Sequence, residues 1–298
     1  MTIYVLGVLT PLAAFLLILW LSFGSPESKA EWFLRFVLIG AVFLVFYKSG
    51  LWVVTSYHLR FLVAVLFVVS AIYSFNKNKQ LSWGFQAKHW YRVFGTALSA
   101  LICSALCVLT IAGDYYFVDG FVSLRFPFNQ GTYSVIQGGS NVITNPFHGV
   151  SDNGKYAVDI VKINRLGNRA KSFFPKHLSQ YYIFGEEIRS PCKGTVVAVV
   201  RGLPDNLPPM ADHKNSAGNH LVIECEDIKV MLAHLKKDSI TIGKGDMVTE
   251  GQLLGQVGNS GYTDEPHLHI QANRLDGKSV AIRFGGTFLS TNDLYTAR

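Results

Sequence analysis

Four long apolar runs fill the first 118 residues of this chain, and they limit its fold more than any other feature. Residues 3–23 carry no charge and match the roughly 20 residues that a helix needs to cross a bilayer. Further runs occupy 32–47, 61–75 and 93–113. Hydrocarbon offers backbone N–H and C=O groups no partners, so segments of this kind must be helical. Arg35 and Lys48 flank the second run, where long basic side chains can reach water. A cleaved leader is a poor reading of the first run, which lacks a basic start and is too long. The expectation is an N-terminal α-helical transmembrane region of about four spans, covering residues 1–118.

Charge supports this division. Of 27 Lys and Arg and 20 Asp and Glu, eight and three lie before residue 119. The second half is thus nearly balanced, which gives no support to a nucleic-acid footprint there. Lys77, Lys79, Lys88 and Arg92 crowd the loop between the third and fourth runs, which should therefore face the cytoplasm. The N-terminus and everything after the fourth run then lie outside. Lys48 and Arg60, in the outer loop, run against that scheme.

After Asp114 the texture changes to short strand-like pieces at 156–163, 194–200, 220–225 and 228–235, separated by Gly, Asn, Pro and Asp. Strands at this spacing predict an all-β domain with an antiparallel sheet, over residues 119–298. Residues 203–216 read as a long loop of the kind that borders a binding groove. Cys103 and Cys107 fit an apolar helix as small hydrophobes, while Cys192 and Cys225 are compatible with one disulfide outside the cytoplasm.

Several polar residues stand where a strand should be apolar. Glu265-Pro266-His267-Leu268-His269-Ile270 reads as one short strand whose period of two puts His267 and His269 on the same face. Asp159 sits within Tyr156-Ala157-Val158-Asp159-Ile160-Val161, and His234 within Met231-Leu232-Ala233-His234-Leu235. His148 lies in the loop Asn145-Pro146-Phe147-His148-Gly149. A carboxylate buried among apolar neighbours needs a cation beside it. His58, His89, His177, His213 and His220 read as ordinary loop, strand or membrane-edge residues.

Taken together, residues 138–272 resemble the lysostaphin-like zinc metallopeptidases, the M23 peptidases. The resemblance rests on the upstream His and Asp, the Ala233-His234-Leu235 segment and the closing His267-Leu268-His269. Ser190-Pro191-Cys192-Lys193-Gly194-Thr195-Val196-Val197 and the stretch 245–255 add to it. It implies zinc held by His148, Asp159 and His269, with an open fourth position as a catalytic site requires. It also implies His267 and His234 as catalytic residues, His267 being favoured as the base. Asp152 stands at the more usual interval from His148, but Ser151-Asp152-Asn153-Gly154 is a turn sequence, so Asp159 is preferred and Asp152 is the alternative.

The activity implied is a membrane-anchored zinc endopeptidase acting on peptide bonds of peptidoglycan or another peptide, with its catalytic domain on the extracytoplasmic side. The spans leave room for a membrane partner that gates the site. A non-catalytic M23-like module is the alternative. A biotinyl or lipoyl carrier is disfavoured because no modifiable lysine stands at a hairpin tip next to Met, and a transporter because the spans hold little polar beyond Ser and Thr.

Overall fold

A computed structural model describes residues 2–84, 90–116 and 118–298. Lys88 and His89 lie outside the described residues. Four helices lead the chain: α1 (Thr2–Phe23), α2 (Lys29–Ser49), α3 (Leu59–Asn78) and α4 (Trp90–Tyr116). Each contains a window long and apolar enough to cross a membrane. Helices α2 and α3 overrun the runs 32–47 and 61–75 because polar residues find partners at their ends. Ser28 caps α2 through the Glu31 N–H at 3.2 Å, and Glu31 pairs with Arg35 one turn on at 2.6 Å. Asn78 extends α3 by bonding back to the Ser74 carbonyl at 2.8 Å.

Helix α1 packs on α3 and α2 on α4. Ala14, Ile18, Phe43, Trp52 and Val63 form the core of the bundle, while Leu16, Val65, Ile72, Leu101 and Val108 point outward. Apolar side chains on the outside are what a lipid-facing bundle presents.

The β domain contains, among the described residues, β1 (Phe121–Leu124), β2 (Gly131–Gln137), β3 (Val158–Ile163), β4 (Glu187–Arg189), β5 (Gly194–Val200), β6 (Asn219–Cys225) and β7 (Ile228–Leu235). After these come β8 (Met247–Val248), β9 (Leu253–Gln256), β10 (Leu268–Arg274), β11 (Ser279–Phe284), β12 (Thr287–Phe288) and β13 (Leu294–Ala297). The main sheet runs in the order β13-β2-β3-β10-β7-β6-β5-β8, with β11 also paired to β10. Its pairings are antiparallel except for β1 with β11, and β4 and β9 form a separate pair. Cys192, ahead of β5, forms a disulfide with Cys225 at the end of β6.

Alternation along β3 decides what its two faces do. Val158 and Ile160 enter the main core. On the opposite face follow Asp159, Val161 and Ile163. Val161 and Ile163 are covered by Val53 and Tyr57, from the loop joining α2 to α3. The sheet face that carries Asp159 therefore continues directly under part of the helical region.

Candidate metal centre and active site

Five side chains named from the sequence converge where β3, β10 and β7 run side by side. Asp159 pairs in register with His269, which pairs with Ala233 on its other flank. His148 reaches them from the loop before β3. That loop is pinned by buried Asn145, whose amide donates to the Ala157 carbonyl at 3.0 Å. His148 Nε2 lies 2.9 Å from one oxygen of Asp159, and His269 Nδ1 lies 2.9 Å from the other. Asp152 is exposed in its turn and takes no part in the cluster.

His234 arrives by a different route. Its neighbour Ala233 already pairs with His269, so simple alternation would turn His234 away. A register shift between β6 and β7 at Asn219 and Leu221, with a positive φ of 61° at His234, re-aims the side chain. Its ring centroid lies 4.7 Å from that of His267 and 5.8 Å from that of His269. His267 sits just before β10 rather than within it. The strand begins at Leu268, later than Glu265, because the Thr263 hydroxyl and His267 Nδ1 both bond to the Glu265 carbonyl, at 2.7 and 2.8 Å.

Hydrogen bonding sets the form of both rings. A carbonyl only accepts, so His267 Nδ1–H donates to Glu265 and His234 Nδ1–H donates to the Ser260 carbonyl at 2.9 Å. In a neutral imidazole Nε2 then carries the lone pair. His267 Nε2 lies 3.7 Å from Asp159. Burial, reinforced by the charges of His267 and His269, holds His234 well below the usual imidazole range, so it stays neutral. Burial alone would raise Asp159, but His148 and His267 oppose it and hold the carboxyl well below the carboxylate range. Burial alone would lower His148, yet the Asp159 charge and hydrogen bond leave it raised.

Two imidazoles and a carboxylate, with candidate ligand atoms within 4.8 Å of one another, are a donor set that suits zinc. The buried Asp159 carboxylate also calls for cationic company, which a metal ion held there would supply. Gln271, not singled out from the sequence, accepts from His269 Nε2 at 3.0 Å and so leaves Nδ1 turned towards Asp159. The period of two that relates His267 to His269 also reaches Gln271, so the signal was present. The pair Arg169 and Glu265 was missed as well, since nothing in the sequence joins residues so far apart.

Residues 181–282 match the profile of Peptidase family M23. The β domain contains an M23 peptidase region. The matched span of this M23 domain includes His234, His267 and His269, while His148 and Asp159 lie upstream of it. Among relatives, an endolysin of Staphylococcus phage 2638A is 34% identical over 70 residues, covering 22% of this chain and 14% of that protein. The peptidoglycan DD-endopeptidase ShyA of Vibrio cholerae is 33% identical over 87 residues, covering 28% of this chain and 20% of that protein. The chain thus spans a fifth or less of the length of these two relatives. A zinc-containing peptidase from Vibrio cholerae aligns at 24% identity and a TM-score of 0.31, over 52% of this chain and 39% of that one.

Proposed function

We propose that the M23 domain is a zinc-dependent endopeptidase that hydrolyses peptide bonds in peptidoglycan stems or cross-links. In this reading residues 1–118 anchor it by four spans, and residues 119–298 form the peptidase domain on the extracytoplasmic side. The observation that carries the reading is the convergence of His148, Asp159 and His269 beside two histidines that both offer Nε2. His148, Asp159 and His269 would hold the zinc. When bound there, zinc supplies Lewis-acid activation of water and of the scissile carbonyl.

The remaining chemistry belongs to the protein. With Nδ1 committed to a carbonyl, Nε2 of His267 or His234 accepts a proton from the attacking water and returns it to the departing amine. The Glu265 and Ser260 carbonyls keep each ring in the tautomer that this transfer needs. The Cys192–Cys225 disulfide supports an oxidising location for the domain. The basic loop between α3 and α4 supports placing its own side of the bundle, away from the β domain, in the cytoplasm.

The test is digestion of purified peptidoglycan by the full chain in detergent, read as new free amines by mass spectrometry. Cleavage by the wild type, abolished by chelation and restored by zinc, is expected. His267→Ala and His234→Ala should each lower kcat by at least about 100-fold while retaining metal. A wild type that binds zinc yet cleaves neither peptidoglycan nor other peptides would favour a non-catalytic module.

A further inference from the structure

The helical region reaches the active site through one buried ion pair. Arg169 lies in the loop after β3, upstream of the matched M23 span, and Glu265 lies two residues before His267. The two side chains meet in a bidentate pair, Nε to Oε2 at 2.5 Å and Nη2 to Oε1 at 2.6 Å. They are only 3% and 4% exposed, so neither charge has water as a substitute partner. Glu265 also accepts from the Tyr181 hydroxyl at 3.1 Å, and that oxygen lies 3.1 Å from the hydroxyl of Tyr4 in α1. The Glu265 backbone carbonyl meanwhile takes the Nδ1–H of His267.

Arg169 is itself held from the helical side. Its Nη1 donates to the Val54 carbonyl at 3.2 Å and its backbone N–H to the Val53 carbonyl at 3.3 Å. Tyr57 N–H donates to the Gly167 carbonyl at 2.8 Å, and the Asn168 amide to the Thr55 carbonyl at 2.5 Å. Gly167 has φ +77° and lies so close to Tyr57 that a Cβ there would meet the Tyr57 backbone nitrogen at 2.9 Å. The α2–α3 loop thus grips residues 167–169 along their length.

We propose that Arg169 is a positioning residue for His267, and that the α2–α3 loop belongs to the catalytic unit rather than serving as a tether. Arg169 fixes Glu265, Glu265 fixes the carbonyl that receives His267 Nδ1–H, and Nε2 is thereby aimed at the site. The proposal rests on the functional reading above for its kinetic consequence, but not for its structural one.

The test therefore reads the ring first. In the full chain in micelles with 15N-labelled histidine, His267 should give the spectrum of the Nδ1–H tautomer. Arg169→Lys keeps the charge but cannot reproduce the fork, and should shift the His267 nitrogens while leaving those of His220 and the zinc content unchanged. Tyr181→Phe, which removes one hydroxyl bond to Glu265, should move the same signals less. On purified peptidoglycan, Arg169→Lys should lose on the order of 10- to 100-fold in kcat with KM unchanged, and should lose nothing further in a His267→Ala background. An unmoved His267 spectrum, a loss of zinc, or a loss of kcat that persists undiminished beside His267→Ala overturns the proposal. A wild type that cleaves no peptidoglycan, with His267 signals that still move in Arg169→Lys, overturns the functional reading and leaves the positioning role standing.

Discussion

Single side chains decide whether the cluster can hold and use a metal. Gln271 occupies His269 Nε2 and so presents Nδ1 inward. Gln271→Leu should therefore weaken zinc binding by about 10- to 100-fold, measured by competition with a chelator, while the fold persists. Acid should act through His148. Its pKa is raised, because the neighbouring Asp159 outweighs the effect of burial, so it holds a proton more tightly than a free imidazole. Protons then begin to displace metal above the ordinary histidine value of about 6.5. Zinc affinity should fall as the pH drops from about 8 to about 6, and an affinity flat across that range would count against His148 as a ligand.

At the level of elements, the histidine pair, Asp159 and the four apolar runs were legible because each rests on a local period. His234 was legible from its strand only as an oddity, and as a residue of the site only through the family resemblance, since its orientation depends on a bulge between β6 and β7. The apparent exceptions to the charge rule also resolve here. Lys48 pairs with Asp293 at 3.1 Å, while Arg60 is buried over the Tyr47 ring and donates to the Asn292 carbonyl at 3.0 Å. Their charges serve the contact between bundle and β domain, which no loop count can reveal. Within the helical region, Gly7 of α1 packs closely on the α2–α3 loop, for a Cβ there would fall 2.5 Å from Val54. Gly7→Ala would ordinarily gain about 1 kcal/mol in helix propensity. Overpacking of about 1–3 kcal/mol against a β-branched neighbour should reverse that sign, lowering the thermal midpoint of the full chain in detergent.

Across the whole molecule, the N-terminal end of α1, the α2–α3 connection and the C-terminal end of α4 all meet the β domain. Tyr4 meets Tyr181, Tyr57 meets Asn292, and the Thr110 carbonyl accepts from Asn141 at 3.4 Å. At the far end Arg92 joins Glu27 and Glu31. The helices thus carry the β domain on one side and the basic residues Lys77, Lys79 and Arg92 on the other. A cysteine replacing Asp276 should react with an impermeant thiol reagent on intact cells, and one replacing Lys79 only after permeabilisation. The opposite pattern would invert the orientation. The disulfide, which closes a 33-residue separation, should contribute about 3–4 kcal/mol, seen as a lower denaturant midpoint in Cys192→Ser/Cys225→Ser.

The most direct test of the account is the metal content of the purified full chain beside His269→Ala, Asp159→Ala and Asp152→Ala. About one zinc per chain, lost in the first two variants and kept in Asp152→Ala, is the predicted result. Zinc that survives Asp159→Ala but disappears in Asp152→Ala, or a wild type that takes up none on reconstitution, would contradict it.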